Sequence, residues 1–128
     1  MGRKEEMMDD AVGGVVPSQS RKHRGYATQK VFAEYMRDIF PYAEPTGAGR
    51  QGADILGTPR VSFELKARSG FDPKSALKQA HEAARLGDLP VAVLRMNGQG
   101  PATVGEWVVC MRVDTLKELL REAGYGTD

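Results

Sequence analysis

The stretch Arg60-Val61-Ser62-Phe63-Glu64-Leu65-Lys66-Ala67 sets Val61, Phe63 and Leu65 against Ser62, Glu64 and Lys66 in strict alternation. Successive strand side chains point to opposite faces, so this run predicts a half-buried strand with Glu64 and Lys66 side by side on its polar face. Just upstream, Gly57-Thr58-Pro59 is a hairpin-turn signal, and Ala53-Asp54-Ile55-Leu56 reads as the short antiparallel partner strand. The expected hairpin brings Asp54 to the neighbourhood of Glu64.

Working outward, Val31, Phe32, Tyr35, Met36, Ile39 and Phe40 form two adjacent apolar positions recurring every four residues. That spacing predicts an amphipathic helix from Gly25 to Phe40 with one buried stripe. Pro41 ends it, because proline cannot continue the helical hydrogen-bond ladder. A turn-rich loop, Pro45 to Gly52, leads to the hairpin. Downstream, Lys74 to Leu86 reads as a second helix stopped by Gly87. Strands are expected over Val91–Leu94 and Glu106–Met111, separated by the loop Asn97-Gly98-Gln99-Gly100-Pro101. Asp114 is placed to cap a last helix that holds Leu116, Leu119 and Leu120. This order predicts an α/β domain with one mixed sheet flanked by helices.

Residues 1–22 lack sustained apolar periodicity and carry Gly13-Gly14 and Pro17-Ser18-Gln19-Ser20, so a flexible arm is expected there, followed by a single domain over 23–124. The 128 residues suffice for one modest core. No apolar run is long enough to cross a bilayer, and no secretion signal is recognisable, so no membrane partner is expected. The lone Cys110 cannot form an intrachain disulfide, and with two distant His it cannot build a Cys/His zinc site. A reducing cytoplasm is the expected compartment, in a bacterial, archaeal or phage-infected cell.

The formal net charge of +1 does not by itself point to nucleic acid. Its distribution is more informative: bases cluster at Arg21-Lys22-His23-Arg24 and recur at Arg50, Arg60, Lys66, Arg68, Lys74, Lys78 and Arg85. A base-enriched segment that also holds a pair of metal-type carboxylates suits a phosphate-backbone partner.

Phosphodiester hydrolysis needs charge stabilisation on a phosphoryl oxygen, an activated water and a stabilised leaving oxygen. Mg²⁺ held by carboxylates supplies all three. Asp54 and Glu64 can converge on one ion, with the backbone carbonyl of Leu65 between the two polar-face side chains. Lys66 projects to the same face, where an ammonium can orient or help deprotonate water and offset phosphate charge. The bland alternative is a cross-strand charge ladder on a solvated sheet face, since such surface pairs need no functional cause.

At this point the residues resemble a known family. Arg24-Gly25 through the first helix, Gly47-Ala48-Gly49 with Ala53-Asp54-Ile55, and Phe63-Glu64-Leu65-Lys66-Ala67 look like the PD-(D/E)xK nuclease superfamily, most of all its archaeal-type Holliday junction resolvases. Ala84 to Leu94 resembles their second helix and following strand, so the likeness covers residues 24 to about 112. It implies a restriction-endonuclease-like fold, Mg²⁺ or Mn²⁺ dependence, and a homodimer acting on branched DNA. By position it implies Asp54 and Glu64 as metal carboxylates and Lys66 as the catalytic lysine. Two departures stand out. Ala53 occupies the place of the family's proline, and Gln29-Lys30 stand where the resolvases carry glutamate and arginine. Gln29 can ligate through its amide oxygen or a water but brings no charge; Glu34 lies about 140° around the helix from it.

The candidate nucleic-acid contacts are Arg24, Lys30, Arg50, Arg68, Lys78 and Gln79, the last on the second helix where it can face the active site. Gly47-x-Gly49-x-x-Gly52 spells a dinucleotide fingerprint, but that motif follows a strand and opens a helix, and here the order is reversed. Trp107 is expected in the core or a dimer interface. The favoured function is a structure-selective, metal-dependent DNA endonuclease of the Holliday junction resolvase kind. Its alternatives are a repair, restriction or phage genome-processing nuclease of the same fold, and a non-catalytic DNA-binding module.

Overall fold

The computed structural model describes residues 18–47, 52–67 and 72–126. In chain order the elements are α1 (Ser18–Tyr35), β1 (Glu44–Pro45), β2 (Ile55–Leu56), β3 (Val61–Ala67), α2 (Pro73–Ala83), β4 (Leu89–Arg95), a 3₁₀ helix (Pro101–Glu106), β5 (Val108–Cys110) and α3 (Val113–Glu122). The main sheet is mixed, in the order β3-β4-β5, while β1 and β2 form a separate two-stranded antiparallel ribbon. β4 runs parallel to β3, with Glu64 opposite Ala92 and Lys66 opposite Leu94, and β5 runs antiparallel to β4. Parallel neighbours require a crossover, and α2 is that crossover. No helix among the described residues is long and apolar enough to cross a membrane.

The sheet is covered on both sides. On one face Phe63, Leu65, Val91 and Val93 pack with Phe32 and Ala33 of α1, and with Ala43, Ile55, Val104 and Trp107. Phe32 meets Phe63 edge-on, ring centroids 4.9 Å apart, a geometry worth about 0.5–1.5 kcal/mol beyond area burial. On the other face Ala92 and Leu94 pack against Ala76 of α2. Trp107 is therefore a core residue, as one of the two sequence expectations had it.

Several expectations require correction. The helix expected from Gly25 to Phe40 begins at Ser18, so the expected arm of residues 1–22 overlaps it, and residues 1–17 lie outside the described residues. Pro17-Ser18-Gln19-Ser20 was read as loop composition, yet its last three residues lie in the helix. The same helix ends at Tyr35 and unwinds through a tighter turn before Pro41. Tyr35 and Ile39, expected on the buried stripe, are exposed.

The hairpin of residues 53–56 with 60–67 is not a regular ladder. β2 pairs with β1, a strand the sequence did not announce. One backbone bond joins the two segments, from the Asp54 N–H to the Phe63 carbonyl at 3.0 Å. At the next place along β3, the Asp54 carboxylate accepts from the Leu65 N–H where a ladder would use a backbone carbonyl.

The polar face of β3 is not solvated either. Ser62 and Glu64 are both buried, because α2 lies over that side of the sheet. α2 spans Pro73–Ala83 rather than Lys74–Leu86, with Asp72 as N-cap accepting from the Ser75 N–H at 3.1 Å. It stops when Ala84 turns extended, ahead of Gly87. Residues 101–106, expected as loop and strand entry, form the 3₁₀ helix, and the strand after it shortens to Val108–Cys110. Asp114 lies inside the first turn of α3 and pairs with Arg112 instead of capping.

Candidate active site

Asp54 is fixed at every polar group it owns. Its N–H donates to the Phe63 carbonyl, and its own carbonyl accepts from the Thr46 N–H at 3.0 Å and the Thr46 hydroxyl at 3.1 Å. Its carboxylate Oδ2 accepts from the Leu65 N–H at 2.8 Å. Such a residue keeps one orientation without help from a ligand, which is what a preorganised donor requires. The anchoring exists because β3 is the outer strand of its sheet: β4 occupies one edge, and Asp54 docks on the other.

Glu64 and Lys66 occupy successive places on the α2 side of β3. Lys66 Nζ lies 3.1 Å from Glu64 Oε2 and donates to Gln79 Oε1, which α2 lowers onto it from above. Neither partner of the ion pair is freely solvated, their side chains being 19% and 11% exposed. This distinguishes the pair from a surface charge ladder, whose members remain in water.

The electrostatics tie the two carboxylates together. Burial pushes the Asp54 carboxyl above its ordinary value, against the opposing effects of the Leu65 N–H and the Lys66 charge. Burial also raises Glu64, and the negative charge of Asp54 raises it further, while Lys66 pulls it down. Two acids that each resist ionisation, one of them because of the other, are relieved by a cation placed between them.

The oxygen donors present fit a hard divalent ion. Mg²⁺ commonly takes one or two carboxylates and completes its shell with water. In a strand the N–H and C=O of one residue point to the same side, so the Leu65 carbonyl shares the open edge that its N–H uses toward Asp54. Asp54, Glu64 and the Leu65 carbonyl are the donors that would hold the ion. Among the described residues no group of three or more His, Cys, Asp or Glu side chains gathers to bind a metal, so those residues bring two carboxylates to this centre and no third.

The sequence-expected residues divide accordingly. Asp54, Glu64, Leu65, Lys66 and Gln79 come together. Gln29 does not offer its amide oxygen to the carboxylates: that oxygen accepts from the Gly47 N–H at 3.4 Å, which fastens the start of the glycine loop to α1. Lys30 and Lys78 are exposed on α1 and α2 and take no part in this hydrogen-bonded set. Arg24 belongs to α1, but its side chain lies outside the described residues, as do Arg50 and Arg68 altogether.

Sequence reasoning missed two contributors. Thr46, through two hydrogen bonds, sets the position of Asp54; its only local signal was a hydroxyl residue opening a glycine-rich loop. Arg95 ties the far end of β4 to its surroundings. Its Nη1 donates to Thr28 Oγ1 at 2.9 Å, its Nε to the Gln99 carbonyl at 2.9 Å, and its guanidinium lies 5.5 Å from the Trp107 ring centroid. No spacing in the sequence announces either link. No protein-family model, curated protein or solved structure matches the chain.

Proposed function

We propose that this chain is a metal-dependent DNA endonuclease that hydrolyses phosphodiester bonds, of the PD-(D/E)xK type and with a restriction-endonuclease-like fold. The observation that carries the proposal is the Asp54 carboxylate held against the Leu65 N–H, beside a Glu64 whose acidity it weakens and a Lys66 that bridges Glu64 to Gln79. Mg²⁺ or Mn²⁺ bound there supplies Lewis acidity and a more acidic water. Asp54 and Glu64 would hold and orient the ion, and the Lys66 ammonium would offset charge that develops on the phosphate. Gln79 keeps that ammonium turned toward the carboxylates.

Within this class, the resemblance to archaeal-type resolvases favours a branched substrate and a homodimer presenting two active sites. The deciding assay incubates purified protein and Mg²⁺ with a four-way junction and a linear duplex, with Glu64→Gln as control. Preferential junction cleavage that disappears in Glu64→Gln is the expected result. Equal cleavage of both substrates would favour a repair, restriction or phage genome-processing nuclease, and no cleavage by the wild type would sink the enzyme.

A second reading, a DNA-binding module without catalysis, draws on Gln29. That residue is engaged by Gly47 and contributes no third acid to the site. Calorimetric titration with Mn²⁺ separates the two. Heat of binding in the wild type that is lost in Glu64→Gln supports the nuclease, and absence of binding in both supports the module.

A further inference from the structure

α2 has a second functional-looking side, turned away from the catalytic set. Helix positions advance by about 100° per residue. Gln79, at Lys66, therefore shares the inner face with the buried Ala76 and Ala80, and Lys74, Lys78 and His81 fall on the opposite face. These three, with Leu77 and Glu82, line an open groove whose remaining wall is Arg112, from the link between β5 and α3.

Three fixed cations thus face a single lining carboxylate. Lys74 and Lys78 have no ion-pair partner among the described residues, and Glu82, one turn on from Lys78, forms no pair with it. Arg112 does have a partner, Asp114 at 2.9 Å, but both side chains are more than half exposed. Such a surface pair is worth about 0–1 kcal/mol, so another anion can replace the carboxylate. His81 forms part of the wall, its Nε2 being buried without a hydrogen-bond partner.

Helix stability does not account for this arrangement. Lys74 stands in the first turn of α2, which carries no acidic residue. The positive end of the helix dipole disfavours a cation there. The catalytic centre does not account for it either: among the described residues it sets Asp54 and Glu64 against Lys66 alone, and these lie on the other side of α2.

We infer that the groove bounded by Lys74, Lys78 and Arg112 is a docking strip for the phosphate backbone of nucleic acid, gripping a stretch flanking the one presented to Asp54, Glu64 and Lys66. This rests on the nuclease reading above, and it assigns substrate affinity and catalysis to opposite sides of one helix. Each neutralised phosphate contact steepens the salt dependence of duplex binding by about 0.9 in log K against log salt.

The test measures binding of full-length protein to a labelled DNA junction and duplex by fluorescence anisotropy, in chelator and between roughly 50 and 200 mM salt. Lys74→Ala/Lys78→Ala is expected to weaken binding at least severalfold and to flatten the slope by about 1.8. Arg112→Gln should flatten it further, while Lys117→Ala, on α3 and outside the groove, should leave it unchanged. With Mg²⁺ and saturating DNA, the double variant should cleave at the wild-type rate with a raised half-saturation concentration. Lys74→Gln/Lys78→Gln, checked by circular dichroism, repeats the measurement should the alanine variant fail to fold.

Unchanged affinity and slope in a wild type that cleaves DNA would overturn the groove and spare the nuclease. A wild type that neither binds nor cleaves would overturn both. Displacement by polyglutamate as effective, charge for charge, as by duplex DNA would reassign the groove to an acidic protein.

Discussion

Asp54 and Glu64 are costly to the protein that carries them, and the cost has a measurable sign. Both carboxyls titrate above their ordinary range in the folded chain, burial being the first cause for each. Between the unfolded value near 4 and the raised folded value, the folded state binds more protons than the unfolded one. Stability of the metal-free protein therefore falls as pH rises through that window. Urea unfolding in chelator should give a higher midpoint at pH 5 than at pH 7, with Glu64→Gln raising the pH 7 midpoint and flattening the profile; a midpoint rising with pH would contradict it. Lys66→Ala is expected to abolish cleavage while DNA binding persists, and loss of both would make Lys66 a structural residue. Gly57 tests geometry of another kind. Its φ is +77°, and an ideal Cβ would sit 2.2 Å from the Tyr42 carbonyl oxygen, so Gly57→Ala must displace backbone and should lower the melting temperature markedly. At this scale Glu64 and Lys66 were legible because alternation is a local signal. Thr46 and Arg95 were not, since a hydrogen bond across 8 or 67 residues leaves no trace in spacing.

β3 shows what a single element's pattern can and cannot tell. Its alternation predicted the strand and the two faces correctly, but not that both would be covered. A solvated face and one roofed by α2 carry similar polar residues when the roof meets them with a glutamine. Nor could the run say whether its neighbour would be a hairpin partner or a parallel strand: that depends on β4, whose unbroken Val91-Ala92-Val93-Leu94 is the composition of a strand buried on both faces. The core on the α1 side should dominate stability. Phe63→Ala is expected to cost about 3–5 kcal/mol, whereas Leu116→Ser on α3, 44% exposed, should stay within about 1 kcal/mol; chemical denaturation of both variants checks the contrast. The Thr28–Arg95 link joins α1 to the end of β4, and a double-mutant cycle with Thr28→Val and Arg95→Met should return a coupling of about 0.5–3 kcal/mol. Additivity would mean that the link carries no stability.

For the whole molecule, the coarse class was readable in the sequence: helices and strands alternate, and the chain folds as a mixed sheet with helices against it. The division into a three-stranded sheet and a two-stranded ribbon was not, because β1 and β2 are two residues each, too short for any periodicity. α3 was legible as a helix, yet Val113, Leu116 and Leu120 remain exposed on it, as does Tyr125 just beyond its end. α3 buries Thr115 against the rest of the fold, and its Glu122 forms an exposed ion pair at 2.5 Å with Arg60, a residue that itself adopts a positive φ of 74°. The proposed homodimer is a prediction at this scale: sedimentation velocity at micromolar concentration should show a species of twice the chain mass, and a purely monomeric boundary would remove the dimer from the proposal.

The hydrogen bond from the Leu65 N–H to the Asp54 carboxylate has a spectroscopic consequence. An amide proton bound to a charged acceptor at 2.8 Å resonates at low field, and its shift follows the charge on that acceptor. In an amide-resolved NMR titration Leu65 should move upfield as a divalent cation, or a proton, draws charge from Asp54. One backbone signal would then report the occupancy of the centre with no substrate in the tube.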